Sequence, residues 1–151
     1  ERSAVARERG VTIAFDPAGP VVEAWCDPSR IGQVVANVIG NAIKFSPEGG
    51  QVQVELDPAG AGTPGMALFA VTDEGAGIPE GEWERVFDKF VQSSKTKSGA
   101  GGTGLGLAIC REIVTQHGGR IWAERGPHGG ARFVVLLPAD PAASRDLRSV
   151  A

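Results

Sequence analysis

The chain has 151 residues, 42% hydrophobic and 22% charged, with a formal net charge of −3. This is enough chain to bury one core without staples, and the composition excludes a disordered polymer, a coiled coil and a collagen. The mild acidity provides no basic field for nucleic acid or anionic lipid, and no apolar run approaches the roughly 20 residues of a membrane-spanning helix.

The opening residues 1–10 are charged and read as the tail of a helix stopped by Gly10. Nothing there resembles an initiator Met or a signal peptide, so the chain is expected to be a piece of a longer protein. Residues 11–15 and 21–25 read as short strands separated by an Asp/Pro/Gly turn. Asp27 then has the chemistry of an N-cap and Pro28 that of a first helical residue. Ile31, Val34, Val35, Val38, Ile39 and Ala42 recur at helical spacing to about Phe45.

Residues 51–57 and 66–72 predict a hairpin around a Pro/Gly loop, followed by a short helix over 82–90. Residues 91–102 have no apolar periodicity. A second long helix is expected from Gly104 to the stop signal His117-Gly118-Gly119, followed by a hairpin of residues 120–124 and 131–137. Residues 1–138 are taken as one domain and 139–151 as a linker or tail. The mixture predicts an α/β (α+β) two-layer sandwich: a mixed, mostly antiparallel sheet of about five strands, covered on one face by about three helices. The two widely separated cysteines, Cys26 and Cys110, point to a reducing compartment.

Three features carry chemistry. On the first long helix, Gln33, Asn37, Asn41 and Lys44 fall on one polar stripe. A solvated face would explain it, but amide oxygens can also ligate Mg²⁺ while an ammonium meets phosphate. Asp73-Glu74-Gly75-Ala76-Gly77-Ile78 follows a strand. It is either an ordinary turn or a close approach to a flat ligand, with Asp73 accepting from an exocyclic amine. Finally, glycines run through Gly102-Thr103-Gly104-Leu105-Gly106-Leu107 into a helix start, the arrangement of an anion site. It has neither the P-loop frame nor the strand that precedes a Rossmann turn. His117 and His128 have no zinc-ligand spacing with the cysteines, and no nucleophile elbow exists.

Taken in order, these segments resemble the catalytic and ATP-binding domain of bacterial two-component sensor histidine kinases over about residues 5–138. Asn37-Val38-Ile39-Gly40-Asn41-Ala42-Ile43-Lys44-Phe45 is similar to that family's N box. Asp73 to Ile78 resembles its first glycine box, Val86-Phe87-Asp88-Lys89-Phe90 its F box, and Gly102 to Leu107 its second glycine box. His117-Gly118-Gly119-Arg120-Ile121 and Gly130-Ala131-Arg132-Phe133 match as well.

The resemblance implies the Bergerat ATP-binding fold, with ATP and Mg²⁺ as cofactors. It implies that Asn41 holds the metal with Asn37 beside it, and that Lys44 contacts phosphate. Asp73 would read adenine, Gly75, Gly77 and Ile78 would shape its pocket with Phe45, Lys89 and Phe90 nearby, and Gly102, Thr103, Gly104, Leu105, Gly106 and Leu107 would face the phosphates. Residues 91–102 would be a mobile lid. The hydrolytic relatives carry Glu where this chain has Asn37, and an amide is no base at neutral pH, which favours phosphoryl donation over hydrolysis.

Where many members have Arg after the F box, this chain has Val91-Gln92-Ser93-Ser94, leaving Lys95 or Lys97 for lid–phosphate contacts. No phosphoacceptor histidine is visible. The expected partners are therefore a separate histidine-bearing dimerisation domain of the same kinase and a response regulator receiver domain. The expected setting is cytoplasmic, with the domain a monomer alone and the parent a homodimer, its membrane anchoring left open. The rival readings are an anti-sigma-factor-type serine kinase and a non-catalytic nucleotide-binding regulatory module.

Overall fold

The computed structural model describes residues 10–15, 24, 26–57, 62, 65–88, 106–127 and 129–139. Its elements are β1 (Thr12–Ala14), α1 (Pro28–Phe45), β2 (Gln51–Asp57), β3 (Met66–Thr72), α2 (Gly106–Gln116), β4 (Arg120–Arg125) and β5 (Ala131–Pro138). The strands form one sheet in the order β1-β2-β3-β5-β4. β1 runs parallel to β2, and the other pairs are antiparallel. This is the expected mixed sheet with both expected hairpins, under two α-helices rather than about three.

Each long helix is bounded by the residues its sequence advertises. The Asp27 carboxylate accepts from the Ser29 and Arg30 amides at 3.0 and 3.4 Å, and Pro28 follows at the first helical position. α2 ends in a Schellman turn: Gly118 donates to the Thr115 carbonyl and Gly119 to that of Val114, at 3.0 and 2.9 Å. Val34, Val38, Ala42 and Ile43 of α1 share one core with Cys110, Ile113 and Val114 of α2 and with Val52, Val71, Phe133 and Val135 of the sheet. Apolar burial of this kind drives the two layers together.

The opposite face of the sheet is not open along its centre. Met66, Leu68, Ala70, Val134 and Leu136 are buried there, with Trp122 packed against them. Burial on both faces explains why β3 reads as an unbroken apolar run instead of alternating. On the same face Arg132 reaches Glu124 on β4 and Glu55 on β2, at 3.3 and 3.1 Å.

The expected short helix over 82–90 is replaced by two 3₁₀ turns, Glu80–Glu82 and Arg85–Phe87. Gly81 is a poor helix residue. The Trp83 indole N–H turns back to the Ile78 carbonyl at 3.1 Å, and Asp88 leaves in an extended conformation. Of the described residues of this segment, only Val86 and Phe87 are then anchored in the core, Phe87 edge-on to Phe133 with 6.2 Å between ring centroids. The expected helix tail in 1–9, the strand at 21–25 apart from Ala24, the stretch 91–102, the helix start at Gly104 and the tail beyond Ala139 lie outside the described residues. Ala24 carries no strand.

Candidate functional site

Asp73 follows the last residue of β3 and is 4% exposed. Its backbone N–H donates to the Ala131 carbonyl at 3.0 Å, one step beyond the last β3–β5 strand pair. Its Oδ1 accepts from the Gly75 and Ala131 amides at 2.8 and 3.2 Å. Both bonds fall on one oxygen, so Oδ2 is the oxygen left for a ligand among the described residues. Burial pushes the carboxyl above the usual carboxylate range, and the bonds from Gly75 and Ala131 pull it part of the way back.

The chain closes tightly around this carboxylate. A β-carbon on Gly75 would collide with the Phe45 carbonyl, and one on Gly130 would collide with the Asp73 carbonyl. The end of α1, the loop after β3 and the β4–β5 turn therefore meet at Asp73 with room only for backbone. Gly77 has a φ of 78°, and Ile78 packs against the core. A flat ligand at this point would rest on backbone and an apolar wall, with one carboxylate oxygen to orient it.

The polar stripe on α1 divides. Asn37, Asn41, Lys44 and Phe45 are half-buried, whereas Gln33 is exposed. The Lys44 ammonium lies 5.5 Å from the centre of the Phe45 ring. Cys110 on α2 is fully buried beside Asn37, and its S–H points to the Val34 carbonyl at 3.9 Å. Burial raises that thiol to about 11.

The helices run antiparallel. The Asp27 amide donates to His117 Nε2 at 3.1 Å, Arg30 bonds Gln116, and Cys110 faces Val34 and Asn37. One further turn along each helix brings the beginning of α2, at Gly106 and Leu107, abreast of Asn41. The positive end of α2 and the amide and ammonium of α1 therefore face a common region.

Of the sequence-predicted residues, the structure brings Gly75 against the Phe45 carbonyl and Gly77 against the Gly129 carbonyl on either side of Asp73, packs Ile78 on the core, and sets Asn37, Asn41 and Lys44 on the helix that ends at Phe45. Lys89, Phe90, Gly102, Thr103, Gly104 and Leu105 lie outside the described residues, as do Lys95 and Lys97. Sequence reading missed Gly130 and Ala131 as part of the Asp73 cradle; their signal was the pair Gly129-Gly130 in the last hairpin. It also missed Cys110, which nothing local distinguishes from a core residue.

Among the described residues, no cluster of three His, Cys, Asp or Glu side chains could hold a metal ion. The donor set nevertheless fits a phosphate-borne Mg²⁺. Such an ion keeps several waters and phosphate oxygens, and needs only one or two neutral or anionic oxygens from the chain. Asn41 and Asn37 offer amide oxygens of that kind.

Residues 26–141 match the family described as histidine kinase-, DNA gyrase B-, and HSP90-like ATPase. The adaptive-response sensory kinase SasA of Synechococcus sp. (strain CC9311) is 38% identical over 130 residues, covering 86% of this chain and 33% of that protein. Full-length ShkA, solved in complex with AMPPNP, is similar with a TM-score of 0.74 at 32% identity, over 90% of this chain and 27% of that one. Histidine kinase ThkA, solved in complex with the response regulator protein TrrA, gives a TM-score of 0.73 at 27% identity, over 93% of this chain and 37% of that one. The chain thus spans about a third of the SasA relative and 18% of another curated relative.

Proposed function

Since the chain belongs to the histidine kinase-, DNA gyrase B- and HSP90-like ATPases, as the catalytic and ATP-binding domain of a sensor histidine kinase, we propose that it binds Mg-ATP and donates the γ-phosphoryl group. The acceptor is a histidine on a separate dimerisation domain of the same kinase. The phosphoryl group then passes to a response regulator receiver domain, as in two-component signalling. The reading places the domain in the cytoplasm within residues 1–138, as a monomer in a homodimeric parent, with 139–151 as linker. Among the described residues no helix is long and apolar enough to cross a membrane.

One observation supports the reading most: the buried Asp73 carboxylate, held by two backbone amides on one oxygen where three segments meet. Its remaining oxygen accepts from the amino group of adenine, whereas guanine presents a carbonyl there and is rejected. Gly75, Gly77 and Ile78 shape the base pocket with Phe45. Lys44 draws in phosphate, and the beginning of α2, with Gly106 and Leu107, adds its positive end. Asn41, with Asn37 beside it, holds Mg²⁺, whose charge offsets that of the phosphates. Lys89, Phe90, residues 102–105 and a lid over 91–102 complete the enclosure in this proposal.

Positioning and electrostatics carry the reaction, since phosphoryl transfer asks little covalent chemistry of the protein. Asn37 stands where hydrolytic relatives have a carboxylate base. Its amide cannot take a proton from water, which keeps the γ-phosphoryl group for the histidine. Calorimetric titration tests the site. ATP should bind with Mg²⁺, GTP should not, and Asp73→Asn should lose ATP binding while keeping the fold. Equal binding of ATP and GTP by a folded chain would overturn the assignment of Asp73.

A further inference from the structure

Glu74 is next to Asp73 in sequence but turns to the other side of β3. Strand pairing sets Gln53 opposite Thr72, so continuing that register would set Gln51 opposite Glu74. β3 has ended by then, and the backbone has left toward Gly75. The Gln51 amide instead donates to the Glu74 carboxylate, at 2.7 Å to Oε1. Asp73 holds the outgoing chain to β5 through Ala131, while Glu74 holds it to β2 through Gln51. Two consecutive carboxylates thus brace one departure point to both neighbouring strands. Gly75, the next residue, lies hard against the Phe45 carbonyl, so a change in departure angle moves the loop relative to α1.

We propose that Glu74 is a positioning residue for the nucleotide site: its carboxylate replaces the missing ladder partner of Gln51 and fixes where the Gly75–Ile78 loop leaves the sheet. The inference rests on the nucleotide reading for its consequence, but the brace itself can be measured without nucleotide. Glu74 is exposed, so its replacement does not threaten the core. Glu74→Gln keeps an oxygen able to accept the Gln51 bond and Glu74→Ala does not, while both remove the charge. The difference between the two variants isolates the hydrogen bond.

The experiment pairs hydrogen exchange of the Gln51 amide in the nucleotide-free chain with calorimetric Mg-ATP affinity. Exchange at Gln51 should be slow in wild type and Glu74→Gln, and fast in Glu74→Ala. Affinity should fall about fivefold in Glu74→Ala relative to Glu74→Gln, the scale of one net hydrogen bond. Melting temperatures of the two variants should differ by only a few degrees, the scale of that one bond, so both stay folded while affinity and Gln51 exchange separate them. Equal exchange at Gln51 in the two variants would overturn the brace. Unequal exchange with equal affinity would overturn its role at the site. If wild type bound no ATP, the nucleotide reading would fall, and the exchange result would still decide the brace.

Discussion

At one end of the α1–α2 pair, Asp27, Arg30, Gln116 and His117 satisfy one another across the helices. At the other end, the side chains of Asn41 and Lys44 make no hydrogen bond among the described residues, although both residues are half-buried. The same class of side chain, on the same two helices, performs opposite tasks. Polar groups at the far end lock the register, and those at the site end are the ones the proposed function assigns to phosphate and Mg²⁺. His117 illustrates the first task. Its Nδ1–H donates to the Ile113 carbonyl at 2.7 Å while Nε2 accepts from the Asp27 amide, an arrangement only the neutral ring can make. Asn37 stands between the two tasks, beside Cys110 and one turn from Asn41.

Substitution at the two ends should separate binding from stability. The largest effect is expected at the site: Asn41→Ala should weaken Mg-ATP binding by about 10- to 100-fold, the scale of a lost bond to a charged group. Its melting temperature without nucleotide should hardly move. His117→Ala should do the reverse, costing about 1–2 kcal/mol and a few degrees of melting temperature, with Mg-ATP affinity within about twofold of wild type. Calorimetry and thermal denaturation on both variants check the pair. If Asn41→Ala melts early and His117→Ala alone loses nucleotide, the division between the two ends is wrong.

A smaller effect concerns pH. The Asp73 carboxyl is raised by burial, so its ionised form is disfavoured in the folded chain. The associated penalty is absent below the unfolded value of about 3.9 and reaches its full size once the pH has passed the raised folded value. Asp73→Asn can keep both backbone bonds through its amide oxygen. Its stability should therefore improve relative to wild type as pH rises through that window, which denaturant midpoints between acid and neutral pH will measure.

The smallest test concerns the thiols. Cys26 is half-buried and raised by burial and by Asp27, whereas Cys110 is fully buried and raised to about 11. An alkylating reagent should add once to the native chain, at Cys26, and twice after denaturation, as counted by mass spectrometry.

Much of this was legible in the sequence because it is local. The cap Asp27-Pro28, the apolar spacing of α1, the Gly stop after His117 and the alternation of β2 each depend on neighbours a few residues away. The glycines of the Asp73 loop were legible as a tight approach, though not as an approach to the Phe45 carbonyl. The cradle of Gly130 and Ala131, the bond from Cys110 to Val34 and the clasp of His117 on Asp27 join residues far apart in the chain, and no local pattern encodes them. The helix expected over 82–90 failed for a related reason. Phe87 finds a tertiary partner in Phe133 while Trp83 turns back to the Ile78 carbonyl, and two short turns satisfy both better than one continuous helix.

The strand order has a consequence for synthesis. β5 lies between β3 and β4, so the last described strand to leave the ribosome fills an inner place in the sheet. Until it emerges, β3 has an unpaired apolar edge, β4 has no neighbour, and the Asp73 carboxylate lacks the amide of Ala131. Core closure and completion of the site thus coincide at the moment β5 emerges from the ribosome. A nascent chain stopped before Ala131 would present that bare edge to chaperones and to other unfinished chains.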